Sequence, residues 1–185
     1  MNAMFKRIIL SLMASFVLLP QVHAEEGFFT WLIDFSRQKG VAPVTNESYN
    51  EECGACHFPY QPGLLPEQSW RKLFDAKQMA DHFGDSAELD EALRVKLLEY
   101  AVANSADKSY HKRSRKIMAS LDDGEAPLRI TETAYFKEKH EEIPDSLVKK
   151  NPDVKSFSQC NKCHRKAEKG VFDDDTVFIP GHGRW

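Results

Sequence analysis

The chain has 185 residues, with 25 basic and 28 acidic side chains, a net charge of −3 and 42% hydrophobic residues. The length suits one domain or two small lobes. The basic groups are not gathered into a large patch, which argues against a nucleic-acid ligand. The modest apolar supply leaves room for a bound group to help fill the core.

Residues 1–24 are predicted to be a secretory signal peptide. Lys6 and Arg7 open it, an apolar run follows from Ile8 to Leu19, and Pro20 ends that run. Val22-His23-Ala24 then supplies the small residue a signal peptidase needs. The run is short for a bilayer span, so a retained anchor is the weaker alternative. Cleavage after Ala24 leaves 185 − 24 = 161 residues with a charge of 23 − 28 = −5. The mature chain is expected in the periplasm with no membrane span, and its acidity suits partners with basic rims.

Residues 25–45 form an N-terminal arm rich in Phe28, Phe29, Trp31, Leu32, Ile33 and Phe35. A packing role is favoured over a partner surface. Gly40-Val41-Ala42-Pro43 interrupts regular structure.

A first lobe is expected over residues 46–122. Ser48-x-x-Glu51 predicts a capping box just before Cys53-Gly54-Ala55-Cys56-His57. Phe58 to Gly63 is a loop whose aromatics can pack on a bound group. A helix is predicted from Pro66 to Phe83, with Leu73, Ala76, Ala80 and Phe83 at helical spacing. Asp85-x-x-Glu88 starts another, with Leu89, Leu93, Leu97 and Ala101 along one face. A third runs from about Asp107 to Leu121. Asp122-Asp123-Gly124 with Pro127 marks a break.

A second lobe is expected over 123–185. It contains a helix from Thr133 to Ile143, a turn at Pro144, and Cys160-Asn161-Lys162-Cys163-His164. Ser156-x-x-Gln159 predicts a second capping box, and Gly170 a helix stop. An acidic tail follows through Asp173-Asp174-Asp175. No strand pairing is evident, so the class is mainly α.

Both cysteine pairs are C-x-x-C-H, the attachment signature of c-type haem, and no other cysteine exists. Two thiols one helical turn apart can form thioethers to the two vinyl groups of a porphyrin. The adjoining histidine, His57 or His164, then reaches the iron as proximal ligand. Short disulfides, thioredoxin-like pairs or zinc would explain the cysteines. Each leaves the two histidines as coincidences. The reading is two small helical lobes, each built round one covalent haem.

Two haems need two further axial ligands. His140 leads, because Phe136, His140 and Ile143 share a face at i, i+4 and i+7 among charged neighbours. His82 is next, 25 residues after His57 as His140 is 24 before His164; Met79 competes with it. His111 lies in the basic run Tyr110 to Lys116, read as a solvated face. His182 sits in the loop Pro180-Gly181-His182-Gly183.

The stretch Glu52 to Pro66, with Ser69-Trp70, His82-Phe83-Gly84, Leu128 to Thr133, Phe136 with His140, and Cys160 to His164, resembles the bacterial dihaem cytochrome c family. The resemblance runs from about Val41 to Pro180. It implies a mainly helical fold with two low-potential, bis-histidine haems. By position, His57 and His164 are then proximal, and His82 and His140 distal. It also implies an electron shuttle whose partner is a small monohaem cytochrome c or a membrane cytochrome b. Two fixed ligands per iron leave no open position for substrate, so the chain is expected not to be an enzyme. A peroxidase-like or oxygen- or nitrogen-oxide-reducing subunit, or a haem-based redox or gas sensor, is the alternative and requires a vacant sixth position.

Overall fold

In the computed structural model, which describes residues 40–185, short helices are linked by tight turns and packed as one compact unit. The expected signal peptide and residues 25–39 of the expected N-terminal arm lie outside the described residues. Seven α-helices occur among the described residues: α1 Glu47–Gly54, α2 Glu67–Leu73, α3 Ala76–Ala80, α4 Glu91–Ala103, α5 Lys112–Met118, α6 Ala134–His140 and α7 Cys160–Cys163. The mainly α class holds.

Local chemistry sets the boundaries. Asn46, not Ser48, caps α1, its side chain accepting from the Tyr49 N–H at 2.9 Å. Ser48 thus lies inside the helix. The expected helix from Pro66 to Phe83 is two helices. Asp75 starts the second by accepting from Lys77 N at 3.0 Å, and Arg94 takes the Phe74 carbonyl at the break. An aspartate that can satisfy free N–H groups competes with helix continuation. For the same reason α4 begins after Asp90, which caps Ala92 and Leu93, rather than at Asp85. The third expected helix shortens to α5, preceded by a 3₁₀ turn at Ala106–Lys108. The helix expected from Thr133 to Ile143 is shorter: Thr133 is its cap, accepting from Phe136 N at 3.2 Å, and α6 ends at His140.

The second C-x-x-C-H sits on a single helical turn without a side-chain cap. Ser156 instead accepts from Ser158 N at 3.1 Å. The acidic tail is also structured. Asp174–Thr176 forms a 3₁₀ turn, and Phe178–Ile179 (β1) pairs antiparallel with Gly183–Arg184 (β2), with Ile179 fully buried. Sequence showed no pairing here because two residues carry no periodicity.

Two buried clusters lie side by side. One gathers Tyr49, Leu65, Trp70, Leu73, Phe74, Met79, Leu97 and Ala101. The other gathers Val41, Phe58, Leu64, Ile117, Ala167 and Phe172. Gln61 is fully buried and ties the chain together by donating to the Ala167 carbonyl at 2.5 Å.

Gly170 closes the 3₁₀ turn Ala167–Lys169 at φ +71°. Its carbonyl accepts from Val41 N at 3.0 Å, and a Cβ at Gly170 would run into the Val41 carbonyl. Both the left-handed conformation and the contact require glycine. Gly170→Ala is expected to destabilise the fold by about 2–4 kcal/mol, read as a lowered midpoint in thermal unfolding.

Candidate haem sites

Each C-x-x-C-H opens onto its own cavity. The first is about 470 Å³ and is lined by Cys53, Cys56, His57 and His82 with apolar side chains including Leu65, Trp70 and Met79. The second is about 490 Å³ and is lined by Cys163, His164 and His140 with Ile117, Phe136 and Phe172. Cys160 and Ile130 line both, so the cavities adjoin. Each draws on residues from both sides of position 122: Leu128 to Thr131, Ser158 and Cys160 wall the first, while Leu64, Arg113 and Ile117 wall the second.

Two imidazole pairs result. His57 and His82 have ring centroids 6.4 Å apart and planes at 18°. His140 and His164 are 6.2 Å apart at 76°. Consider two imidazoles on opposite faces of one iron. With Fe–N near 2.0 Å and each ring centre about 1.15 Å behind its nitrogen, the centroids stand about 6.3 Å apart. Both pairs match that spacing.

The backbone sets the tautomer of one ring in each pair. His57 Nδ1 lies 2.8 Å from the Phe58 carbonyl, and His140 Nδ1 lies 2.8 Å from the Phe136 carbonyl. A carbonyl only accepts, so Nδ1 carries the proton and Nε2 keeps its lone pair for a metal. The Nδ1 atoms of His82 and His164 are buried without a protein partner. Stacking adds rigidity: Tyr60 lies 4.9 Å from His57 at 28°, and Phe136 lies 3.8 Å from His140 at 12°.

Turn geometry aims His82. The Phe83 backbone is left-handed at φ +60° and Gly84 follows at +102°. The His82 N–H donates to the Asp85 carbonyl at 2.7 Å and closes this tight turn. A phenylalanine held at positive φ is strained, and such strain gathers at functional positions. His82 thus projects from a turn after α3, not from a helix end.

Electrostatics favour neutral ligands. Burial pulls His82 below its ordinary range, helped by His57 and Arg129. Burial also lowers His140, against its hydrogen bond to Phe136. His164 falls to about 4 through burial, then the His140 and Arg113 charges. Burial pushes the Cys53 and Cys160 thiols up to about 12. Such groups stay protonated, unlike the thiolates of redox pairs or zinc sites. All four cysteines are free of disulfides. Among the described residues no three His, Cys, Asp or Glu side chains converge as a metal cage.

The remaining candidates lie elsewhere. Met79 is buried in the wall of the first cavity. His111 sits beside Ser109 at 3.3 Å, and exposed His182 lies 5.7 Å from Trp185. Neither lines either of the two cavities described above. Sequence reasoning missed Arg113, assigned to a solvated run, and Phe157, whose edge meets His140 at 5.9 Å. Arg113 at i−4 from Ile117, a buried apolar position of α5, was the available signal. Phe157 offered none.

The sites fit haem: paired thiols, imidazoles at iron-spanning distance, and apolar walls. Comparison with known proteins agrees. Residues 49–172 match the family described as dihaem cytochrome c. The diheme cytochrome type c from Shewanella baltica OS155 is 43% identical over 77% of this chain and 98% of its own, with a TM-score of 0.63. The diheme cytochrome c from Rhodobacter sphaeroides is 38% identical over 71% of this chain and 100% of its own, also at 0.63. A second Rhodobacter sphaeroides structure, of purified DHC, is 37% identical over 70% and 99%, at 0.54. No match was found among the curated proteins.

Proposed function

The chain belongs to the dihaem cytochrome c family and carries two covalently attached c-type haems, and on that premise we propose that it is a periplasmic electron carrier with two bis-histidine irons and no catalysis of its own. The observation that carries this reading is the pair of facing imidazoles at 6.4 and 6.2 Å, one pair beside each C-x-x-C-H. Cys53, Cys56 and His57 would hold the first haem with His82 as the opposite ligand. Cys160, Cys163 and His164 would hold the second with His140 opposite.

When bound, each haem supplies a one-electron Fe(III)/Fe(II) couple. The chain's work is to fill both axial positions, exclude water and fix the local charge. At the second site His140 is held by its Nδ1–H bond and His164 by the adjoining cysteines, which disfavours an opening there to peroxide or gas. Among the described residues no helix is long and apolar enough to cross a membrane. The predicted signal peptide supports export. A redox protein with a basic rim suits the acidic surface, and a small monohaem cytochrome c or a membrane cytochrome b fits that role.

Low-temperature electron paramagnetic resonance tests the ligation. Nearly parallel imidazoles split the two iron d orbitals they overlap, whereas perpendicular ones leave them close in energy. The oxidised protein is therefore expected to show two low-spin signals: a rhombic one from the 18° pair and a strongly anisotropic one from the 76° pair. His82→Ala should remove only the rhombic signal. A signal set unchanged by that substitution would exclude His82 as a ligand.

A further inference from the structure

Arg113 stands apart from the basic run that contains it. Lys112, Arg115 and Lys116 are exposed, whereas Arg113 is half-buried and turns into the wall of the second cavity. One terminal nitrogen donates to the Tyr135 hydroxyl at 3.1 Å and the other to the Phe172 carbonyl at 2.7 Å. Its guanidinium carbon lies 5.9 and 5.7 Å from the centroids of those same two rings. The fork is therefore locked in place. Its Nε–H is buried and has no partner.

No carboxylate compensates this charge. Among the described residues, no ion pair within 4.0 Å involves Arg113, although Glu138 and Asp174 also line the cavity. A cation withdrawn from water with an orphaned donor is costly unless an anion completes it. The first cavity is different. Its arginine, Arg129, is exposed, lies 3.8 Å over the Phe83 ring and pairs with Glu132 at 3.6 Å.

The anion that enters with a haem is a propionate. We infer that Arg113 binds a propionate of the second haem through the terminal N–H groups that Tyr135 and Phe172 leave free and raises the reduction potential of that haem above the value set by its ligands. The sign follows from charge: reduction adds an electron beside a fixed cation, so the cation favours the ferrous form. Lysine cannot reproduce the effect in full, because it lacks the planar fork that Tyr135 and Phe172 hold. This inference rests on the second haem lying between His140 and His164.

The test is spectroelectrochemical titration and resonance Raman of the full haem-loaded protein, unsubstituted and as Arg113→Gln and Arg113→Lys. Arg113→Gln is expected to lower the potential of the second haem by about tenfold in its exchange equilibrium with the first, which is about 59 mV for one electron. The first haem should not move. The propionate bending band should shift to lower frequency in both variants, while Arg113→Lys retains most of the potential. If Arg113→Gln fails to mature, Arg113→Lys decides alone: a lowered band supports the inference and an unchanged one overturns it. Unchanged potentials and band, or equal shifts in both haems, also overturn it. A high-spin second iron in the unsubstituted protein would instead sink the axial-ligand reading, and the propionate band would still decide the role of Arg113.

Discussion

Polypeptide produced without haem attachment is expected to lack a cooperative fold at 25 °C. Two cavities of about 470 and 490 Å³ adjoin at Cys160 and Ile130. At about 24 cal/mol per Å³ of void, keeping the first one formed and dry would cost up to about 11 kcal/mol. Whole domains are stable by only about 5–15 kcal/mol. Water entry softens that figure but not its direction, since the walls are Leu65, Trp70 and Met79 on one side and Ile117, Phe136 and Phe172 on the other. The chain would collapse or unfold rather than hold both spaces open. Circular dichroism and hydrogen exchange of the Cys53→Ala/Cys56→Ala/Cys160→Ala/Cys163→Ala variant check this. A native-like, protected haem-free protein would refute it.

Replacing only Cys160 and Cys163 should disturb both sites, because Cys160 also walls the first cavity. Loss of one haem is then expected to broaden or weaken the signal of the other.

His140→Ala should convert one iron of two to a high-spin form that binds carbon monoxide. The substitution removes the ring that faces His164 at 6.2 Å. No other histidine or methionine lines the second cavity to replace it. Half of the haem should then show the carbon-monoxide spectrum, against essentially none in the unsubstituted protein. The strongly anisotropic low-spin signal should vanish, leaving the rhombic one. Stability should fall by about 1–3 kcal/mol, from the lost stack on Phe136 at 3.8 Å and the bond to its carbonyl. An iron that stays low-spin would show that another group holds its sixth position.

A peroxidase-like or sensing role makes the opposite demand. It requires carbon monoxide or cyanide to bind the unsubstituted protein at once. The Nδ1–H bond of His140 opposes that at the second site, where the other imidazole, His164, adjoins the cysteine pair.

The chemistry of the sites was legible in the sequence because it is local. Two thiols one turn apart followed by an imidazole read the same in any fold. Helical phase points to His140 and the spacing from His57 to His82, and their rings lie 6.2 and 6.4 Å from those of His164 and His57. Phe136 meets the second cavity with His140 as their spacing on α6 predicts, whereas Ile143 reaches it from the turn after the helix.

Helix ends were less legible. Asn46 outcompeted Ser48 for the α1 cap, and Asp75 and Asp90 each opened a helix where periodicity alone ran on. Several residues near an end can satisfy the same N–H groups, and tertiary packing selects among them. α7 is a single turn that would not persist alone; its surroundings hold it.

Residue order alone carries the covalent chemistry: two thioether sites, their adjoining histidines, and a helical scaffold around them. Long-range packing is what walls each cavity from both halves of the chain, folds the tail as β1 and β2, and turns Arg113 inward while its basic neighbours Lys112, Arg115 and Lys116 face water. Bonding geometry acts over a few residues and is written in their spacing. Which side of α5 is buried depends on Tyr135 and Phe172, 22 and 59 residues away along the chain, and no local pattern encodes that meeting.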